Sequence, residues 1–521
     1  MAGLKHSILK TRGGGWPMAC LTVALFVVTG CASVPFDAPK TVAYAEPPST
    51  ATRLGSVAQE WFDRADGASG FVPLASGQQA LGARLRMIDN ASRTIDLQYF
   101  LMKPDFAAAV IADALMRAAD RGVRVRLLLD DVFTTVPDDI LAIVDGHPNI
   151  EIRVFNPVAR GGPGWAAFLA EFPRTNRRMH NKAFIVDNAG VILGGRNIAD
   201  EYYEINEDIE FADFDLFGIG PVAIEASRIF DEYWNNQRSV PVSALIKAQV
   251  REAALGRNIE GQLELSELEE ARQIYEDAVD DPFLADLRAG RIEPINAGSR
   301  VVSDPAEKLQ QPKNSGFNIL FDEIRRRMLA AEREVIIVSP YFVPRREGVE
   351  LFKTLRGNGV DVHVITNSLG STNHAYVHGG YFPYRRELLE AGVQLYEAKV
   401  DSAVSSATGE PALLTLHSKA ILIDRETAFI GSMNFDPRSI EINSEMGVFV
   451  DSRELSSPLA EGIDEDILEF LYVVELDRQG NMIWRHGAGA GAEIRQIEPD
   501  ASLWRKFVAT MASILPIESQ L

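Results

Sequence analysis

Cysteine is nearly absent from this chain. There are two in 521 residues, Cys20 and Cys31, so a disulfide-framed fold is excluded. Positive charge is also short. Lys and Arg total 52 against 73 Asp and Glu, for a net charge of −21 and a pI of about 4.9. Sequence-independent duplex binding needs a broad basic surface, and such a balance does not supply one. A small basic pocket is still compatible with it. No apolar run beyond the extreme N-terminus approaches the roughly 18–20 residues of a membrane span, which excludes a polytopic membrane protein. Hydrophobic residues make up 46% and charged residues 24%. These are globular values, and they exclude a disordered or collagenous chain. The length predicts more than one compact unit.

The N-terminus has its own pattern. Lys5, Lys10 and Arg12 precede an apolar run over 21–28, which ends in Val28-Thr29-Gly30-Cys31. Charge, short apolar run and small residues in that order are the layout of a secretory signal. The tetrapeptide resembles the bacterial lipobox, in which the cysteine is lipidated before cleavage. Residues 1–30 are therefore expected to be a lipoprotein signal peptide and Cys31 the lipidation site. Ala32 follows, and by resemblance to Gram-negative lipoproteins it implies an outer-membrane anchor facing the periplasm. Residues 31–54, rich in Pro, Ala, Thr and Ser, read as a lipidated tether. The mature chain would keep one cysteine and form no internal disulfide.

The rest is organised by an internal repeat. His180, Lys182, Asp187, Gly194 and Asn197 recur as His417, Lys419, Asp424, Gly431 and Asn434, always at offset 237. The same offset joins Asn206 to Asn443, Pro221 to Pro458 and Gly122-Val123 to Gly359-Val360. Tyr99-Phe100 and Tyr341-Phe342 match at offset 242, which places a small indel upstream. So long a register indicates a tandem duplication. One lobe is expected over 55–237 and another over 316–475. An acidic connection over 238–315 separates them, and a C-terminal extension over 476–521 follows.

Each lobe reads as α/β. Segments 94–100, 123–129, 335–342 and 360–366 are strand-like, and 106–119 and 348–355 have helical spacing between them. That order predicts a mixed sheet with flanking helices. Gly220-Pro221 opens an amphipathic helix, since Pro suits the first helical turn. Near the C-terminus Leu503, Trp504, Phe507, Val508, Met511, Ile514 and Leu515 recur at helical spacing. Such a helix can dock on a core or lie in a membrane interface, and the second reading is preferred.

His180 and Lys182 are two apart on a strand and so share one face, as do His417 and Lys419. The apolar runs 183–186 and 420–423 bury each strand behind the polar pair. Gly194 and Gly431 fit turns where backbone passes close to a ligand, and Asn197 and Asn434 supply amides. Two imidazoles, two ammoniums and two amides suit a phosphate diester. Lys and Asn hold the non-bridging oxygens, one His attacks phosphorus, and the other protonates the leaving oxygen.

These residues resemble the paired His-Lys-Asp motifs of the phospholipase D superfamily. Within it, 176–182 (NRRMHNK), 194–197 (GGRN), 340–344 (PYFVP) and 431–439 (GSMNFDPRS) look like bacterial cardiolipin synthases of the C type. The resemblance covers roughly 55–521. It implies two lobes related by a pseudo-twofold axis around one shared site, a covalent phosphohistidine, and no metal or other cofactor. In relatives an acidic residue after the Asn orients each His, and the register offers Asp208 and Glu445. Asp187 and Asp424 belong to the motif but follow a buried strand at a turn, so a structural role is expected. Arg174, Arg177, Arg178, Arg196 and Arg438 are candidates for recognising anionic headgroups. His374, His378, Tyr381 and Arg385 are equally readable as site lining or helix packing. The expected activity is phosphatidyl transfer making cardiolipin from phosphatidylglycerol or phosphatidylethanolamine. The alternatives are a phospholipase D using water, a secreted nuclease, and a non-enzymatic envelope tether. Acidic charge and the anchor weigh against the nuclease, and the duplicated motifs weigh against the tether.

Overall fold

In a computed structural model the described residues are 33–160, 163–205, 209–254, 265–313, 316–400, 403–404, 411–487 and 489–521. The signal, Cys31 and Asp208 lie outside them. Two α/β lobes share one eighteen-stranded sheet. In the first lobe Thr94–Tyr99, Arg124–Asp130 and Ile150–Phe155 run parallel. Antiparallel Ala183–Val186, Gly190–Gly194, Asp215–Ile219 and Ser69–Leu74 extend the sheet from the other side of Thr94–Tyr99. The second lobe repeats this with parallel Glu334–Val338, Asp361–Asn367 and Gln394–Ala398. Antiparallel Ala420–Ile423, Thr427–Gly431 and Met446–Asp451 follow.

The strand Ile295–Ser303 stitches the lobes together. Its first residues pair with Ser69–Phe71 and the rest with Met446–Asp451. Part of the expected connection is therefore sheet. The helix Pro221–Asn235 begins at the predicted Gly220-Pro221. Together with Arg453–Glu469 it closes a core shared by both lobes, while separate cores fill the outer side of each.

Ladder positions correct two of the sequence matches. Asp215 and Gly447 occupy the same position beside Gly194 and Gly431, so the offset falls from 237 to 232 beyond the motif. Pro221 thus corresponds to Arg453, and Pro458 lies inside its helix. Upstream, Met102 and Phe342 make equivalent bridges, an offset of 240, so Tyr99-Phe100 and Tyr341-Phe342 are not counterparts.

Residues 33–52, expected to be a tether, are docked instead. Lys40 donates to the carbonyls of Asn236 and Ser239, Ala45 N–H to Asp231, and Arg126 and Arg153 to the carbonyls of Ala43 and Thr41. The C-terminal helix Leu503–Ile514 packs its small face on Ala375–Tyr381. A Cβ on Gly379 would stand 2.4 Å from the Ala509 carbonyl oxygen. Its large apolar side chains face outward, with Leu503 86% and Trp504 68% exposed.

Candidate active site

Each histidine enters the site immediately before a buried strand, and its backbone is tied to the other lobe. His180 N–H donates to the Ser444 carbonyl and His417 N–H to that of Ala212. The side chains repeat the exchange. His180 Nδ1 stands 2.8 Å from Oε2 of Glu445, and His417 Nδ1 stands 2.5 Å from Oδ2 of Asp213. Neither lobe can therefore orient its own imidazole. A carboxylate at Nδ1 favours the tautomer that leaves Nε2 as the reactive nitrogen. The acid at His417 is Asp213, five residues beyond the expected Asp208, because of the register change already noted.

Glycine makes room for these acids. A Cβ on Gly195 would lie 2.2 Å from Asp213 Oδ1, and one on Gly194 2.1 Å from Asp215 Oδ1. In the second lobe Ser432 follows Gly431, and its hydroxyl donates to Glu445 at 2.5 Å. Aromatic rings wall the imidazoles. Phe100 meets His180 edge-on at 4.5 Å, Phe211 stacks on His417 at 4.9 Å, and Tyr202 and Tyr341 lie edge-on to His417. Asp213, Phe211, Phe100 and Tyr202 were not identified from the sequence.

The pair Lys182 and Lys419 adds charge. Lys182 donates to the His180 carbonyl at 2.8 Å. The Lys419 ammonium lies 2.8 and 3.1 Å from the two ring nitrogens of His417 and also donates to its carbonyl. Burial lowers Lys182 to about 7 and Lys419 to about 8. Burial, then Lys419, takes His417 down to about 3. Burial, then Lys182 and Lys419, carries His180 well below its ordinary value. Each imidazole thus senses the other lobe's lysine. Burial raises Glu445 to about 7. Asp213 is lowered despite its burial, because Lys419 and His417 outweigh it. The Oδ1 atoms of Asn197 and Asn434 are both buried without a partner. A buried amide in that state is costly unless a ligand completes it.

Other residues of the motif region serve the fold. Asp187 and Asp424 lie at the far ends of their strands. The Asp187 carboxylate accepts from the N–H groups of Ser92, Arg93 and Thr94, and that of Asp424 from Glu332, Arg333 and Glu334. Both carboxylates thus tie the turn after one strand to the start of another. The headgroup reading of the arginines fails for Arg178 and Arg196. Arg178 is fully buried against Asp130, and Arg196 donates to the carbonyls of Leu74, Ala75, Tyr202 and Asp213. Arg174 pairs with Glu171 and Arg177 donates to the Lys308 carbonyl. Arg438 donates to Asn176, and its charge contributes to lowering His180. The helix at 374–385 divides. His374 stands beside Tyr341 at the His417 side, whereas His378, Tyr381 and Arg385 join Glu397 and Glu498 in a buried network.

The comparisons agree with this architecture. The family model described as cardiolipin synthase, PLD-like domain, matches residues 85–234 and again 324–467. Cardiolipin synthase C of Escherichia coli is 35% identical over 89% of this chain and 99% of that protein. An uncharacterised Helicobacter pylori protein is 30% identical over 95% of this chain and 98% of its own length. The crystal structure of phosphatidylserine synthase from Haemophilus influenzae superposes with a TM-score of 0.56 at 13% identity, covering 89% of this chain and all of that one. That likeness is one of fold.

Proposed function

The chain belongs to the phospholipase D-like family of cardiolipin synthases, and on that footing we propose that it transfers a phosphatidyl group from one phospholipid to another, making cardiolipin. The observation that carries the reading is the reciprocal pairing of His180 with Glu445 and His417 with Asp213.

His180 Nε2 is the nucleophile. It attacks phosphorus, the P–O bond to the departing alcohol breaks, and His417 gives that oxygen its proton. A phosphohistidine results. The acceptor hydroxyl then loses its proton to His417 and attacks the same phosphorus, breaking the P–N bond and restoring both imidazoles. In the free site both rings are neutral near pH 7, because burial and the ammoniums oppose a further charge. A bound diester brings a negative charge between Lys182 and Lys419. It offsets their effect and lets His417 hold the proton it must deliver.

Phosphatidylglycerol or phosphatidylethanolamine serves as donor, and phosphatidylglycerol, whose headgroup carries the free hydroxyl, as acceptor. The protein acts as a lipoprotein held through Cys31 at the outer membrane, facing the periplasm. The outward apolar face of Leu503–Ile514 meets the bilayer, where acceptor lipid is concentrated and water excluded. The test uses vesicles containing labelled phosphatidylglycerol and phosphatidylethanolamine. Cardiolipin should exceed phosphatidic acid, His180→Ala and His417→Ala should each abolish turnover, and rapid denaturation at mildly alkaline pH, where the P–N bond survives, should trap label on one histidine. Mainly phosphatidic acid would make the enzyme a phospholipase D with the same residues. Substantial activity in either variant would overturn the two-histidine mechanism.

A further inference from the structure

The site reaches the surface on two unlike sides. Next to His417 the way out is polar. Tyr341 lies edge-on to that ring, its hydroxyl donates to Oδ1 of the exposed Asn373 at 2.8 Å, and His374 stands 5.5 Å from it. Next to His180 the way out is apolar. Phe100 meets the imidazole edge-on at 4.5 Å, and the Lys182 ammonium lies 5.4 Å from the Phe100 ring centroid. Phe133 lies 4.9 Å beyond Phe100 and is 45% exposed. It stands three residues past the strand Arg124–Asp130, and three residues past the matching Asp361–Asn367 the second lobe has Gly370. Val132, the neighbour of Phe133, packs on Val158, Ala159 and Ala167, and the helix Gly164–Ala170 that supplies Ala167 exposes Trp165 and Leu169. An apolar ledge thus leads from one histidine to the surface, and from the other a polar one.

The proposed mechanism says which part of the lipid meets each side. The departing oxygen leaves, and the acceptor oxygen arrives, in line with His180 Nε2 and so beside His417, which handles both protons. Polar headgroups are exchanged there. The diacylglyceryl oxygen stays on phosphorus through both steps, and in the intermediate phosphorus is bonded to His180. The retained part of the lipid is its apolar part, and burying it against rings beside the nucleophile is favourable. We infer that Phe100 and Phe133 form the subsite for the diacylglyceryl end of the donor. The inference rests on the phospholipid reading above, with His180 as nucleophile.

Phosphatidylglycerols with hexanoyl and with decanoyl chains, presented in the same detergent, test it. The kcat/KM ratio of decanoyl to hexanoyl lipid should be about tenfold lower for Phe133→Ser than for the wild type, because the longer chain loses an apolar partner. A ratio does not depend on the fraction of active enzyme, so partial misfolding of the variant leaves the reading intact. Equal ratios in the two proteins overturn the subsite alone. Equal ratios with weaker vesicle flotation of Phe133→Ser would make Phe133 a bilayer contact, which also overturns the subsite. Failure of the wild type to release product from either lipid overturns the phospholipid reading. A decanoyl lipid with a photoreactive group in its acyl chain should label residues 131–136 of the wild type, and labelling confined elsewhere overturns the subsite.

Discussion

Gly195 and Asp213 are in van der Waals register: a Cβ on the glycine would stand 2.2 Å from the carboxylate that orients His417. The motif glycine is thus a condition for the acid beyond it. Gly195→Ala should push Asp213 off His417 Nδ1 and lower kcat by about hundredfold, the usual cost of misplacing a catalytic group by an ångström. KM should change much less. A variant retaining wild-type kcat in a steady-state assay would show that Asp213 does not need this position.

The sequence makes the duplication and both His-Lys pairs legible because the motif repeats without an indel from His180 to Asn197. The register then slips by five residues, so the offset of the motif points to Asp208 and not to Asp213. The exchange of acids between lobes is invisible to any one-dimensional pattern, since it appears only when the residues before His180 and His417 pair with the segments that carry Glu445 and Asp213. The arginines misled for another reason. Arg178 and Arg196 sit within the motifs, but nothing in the sequence tells a buried guanidinium satisfied by Asp130 or by carbonyls from one facing a ligand.

Asp187 and Asp424 offer a test of the motif's third member. Each carboxylate accepts three backbone N–H groups at a residue with φ near +53°. Asp187→Ala leaves those donors unpaired and puts an alanine in the left-handed region. It should cost about 2–4 kcal/mol in urea unfolding, while kcat per folded molecule stays within about threefold. Asp187→Asn, which tolerates that backbone, should lose less. Loss of turnover in a fully folded Asp187→Ala would return the residue to the chemistry.

The lysines set opposite pH dependences on activity and stability. As pH rises through about 7 and 8, Lys182 and Lys419 lose the protons that neutralise the phosphate. The free-enzyme profile, kcat/KM, should fall on the alkaline side. In the unfolded chain a lysine keeps its proton to about 10.5, so there the unfolded state binds more protons and each lysine's contribution to stability grows with pH. Lys182→Met should abolish turnover, yet be more stable than wild type at pH 7. That advantage should shrink toward pH 10, as followed by urea midpoints. An advantage independent of pH would mean that Lys182 titrates normally.

The C-terminal helix carries the last prediction. It is held by Ala509 and Ala512 on the helix Ala375–Tyr381, so its large side chains are not needed for docking. Leu503, Trp504, Phe507 and Ile514 are all more than half exposed, an arrangement that is unfavourable in water and favourable in a lipid interface. A Trp and a Phe transferred there contribute more than one tenfold step in partitioning. The change Trp504→Ser with Phe507→Ser should therefore weaken vesicle flotation by about tenfold or more, read in a Cys31→Ser background so that no lipid anchor masks it. The unfolding midpoint should stay near that of the parent. On the proposed mechanism transfer competes with hydrolysis for one phosphohistidine and the helix holds the cleft against the acceptor, so the product ratio should move toward phosphatidic acid. Unchanged flotation would assign the exposed face to some other contact. Weaker flotation with an unchanged ratio would mean that the cleft excludes water without help from the bilayer.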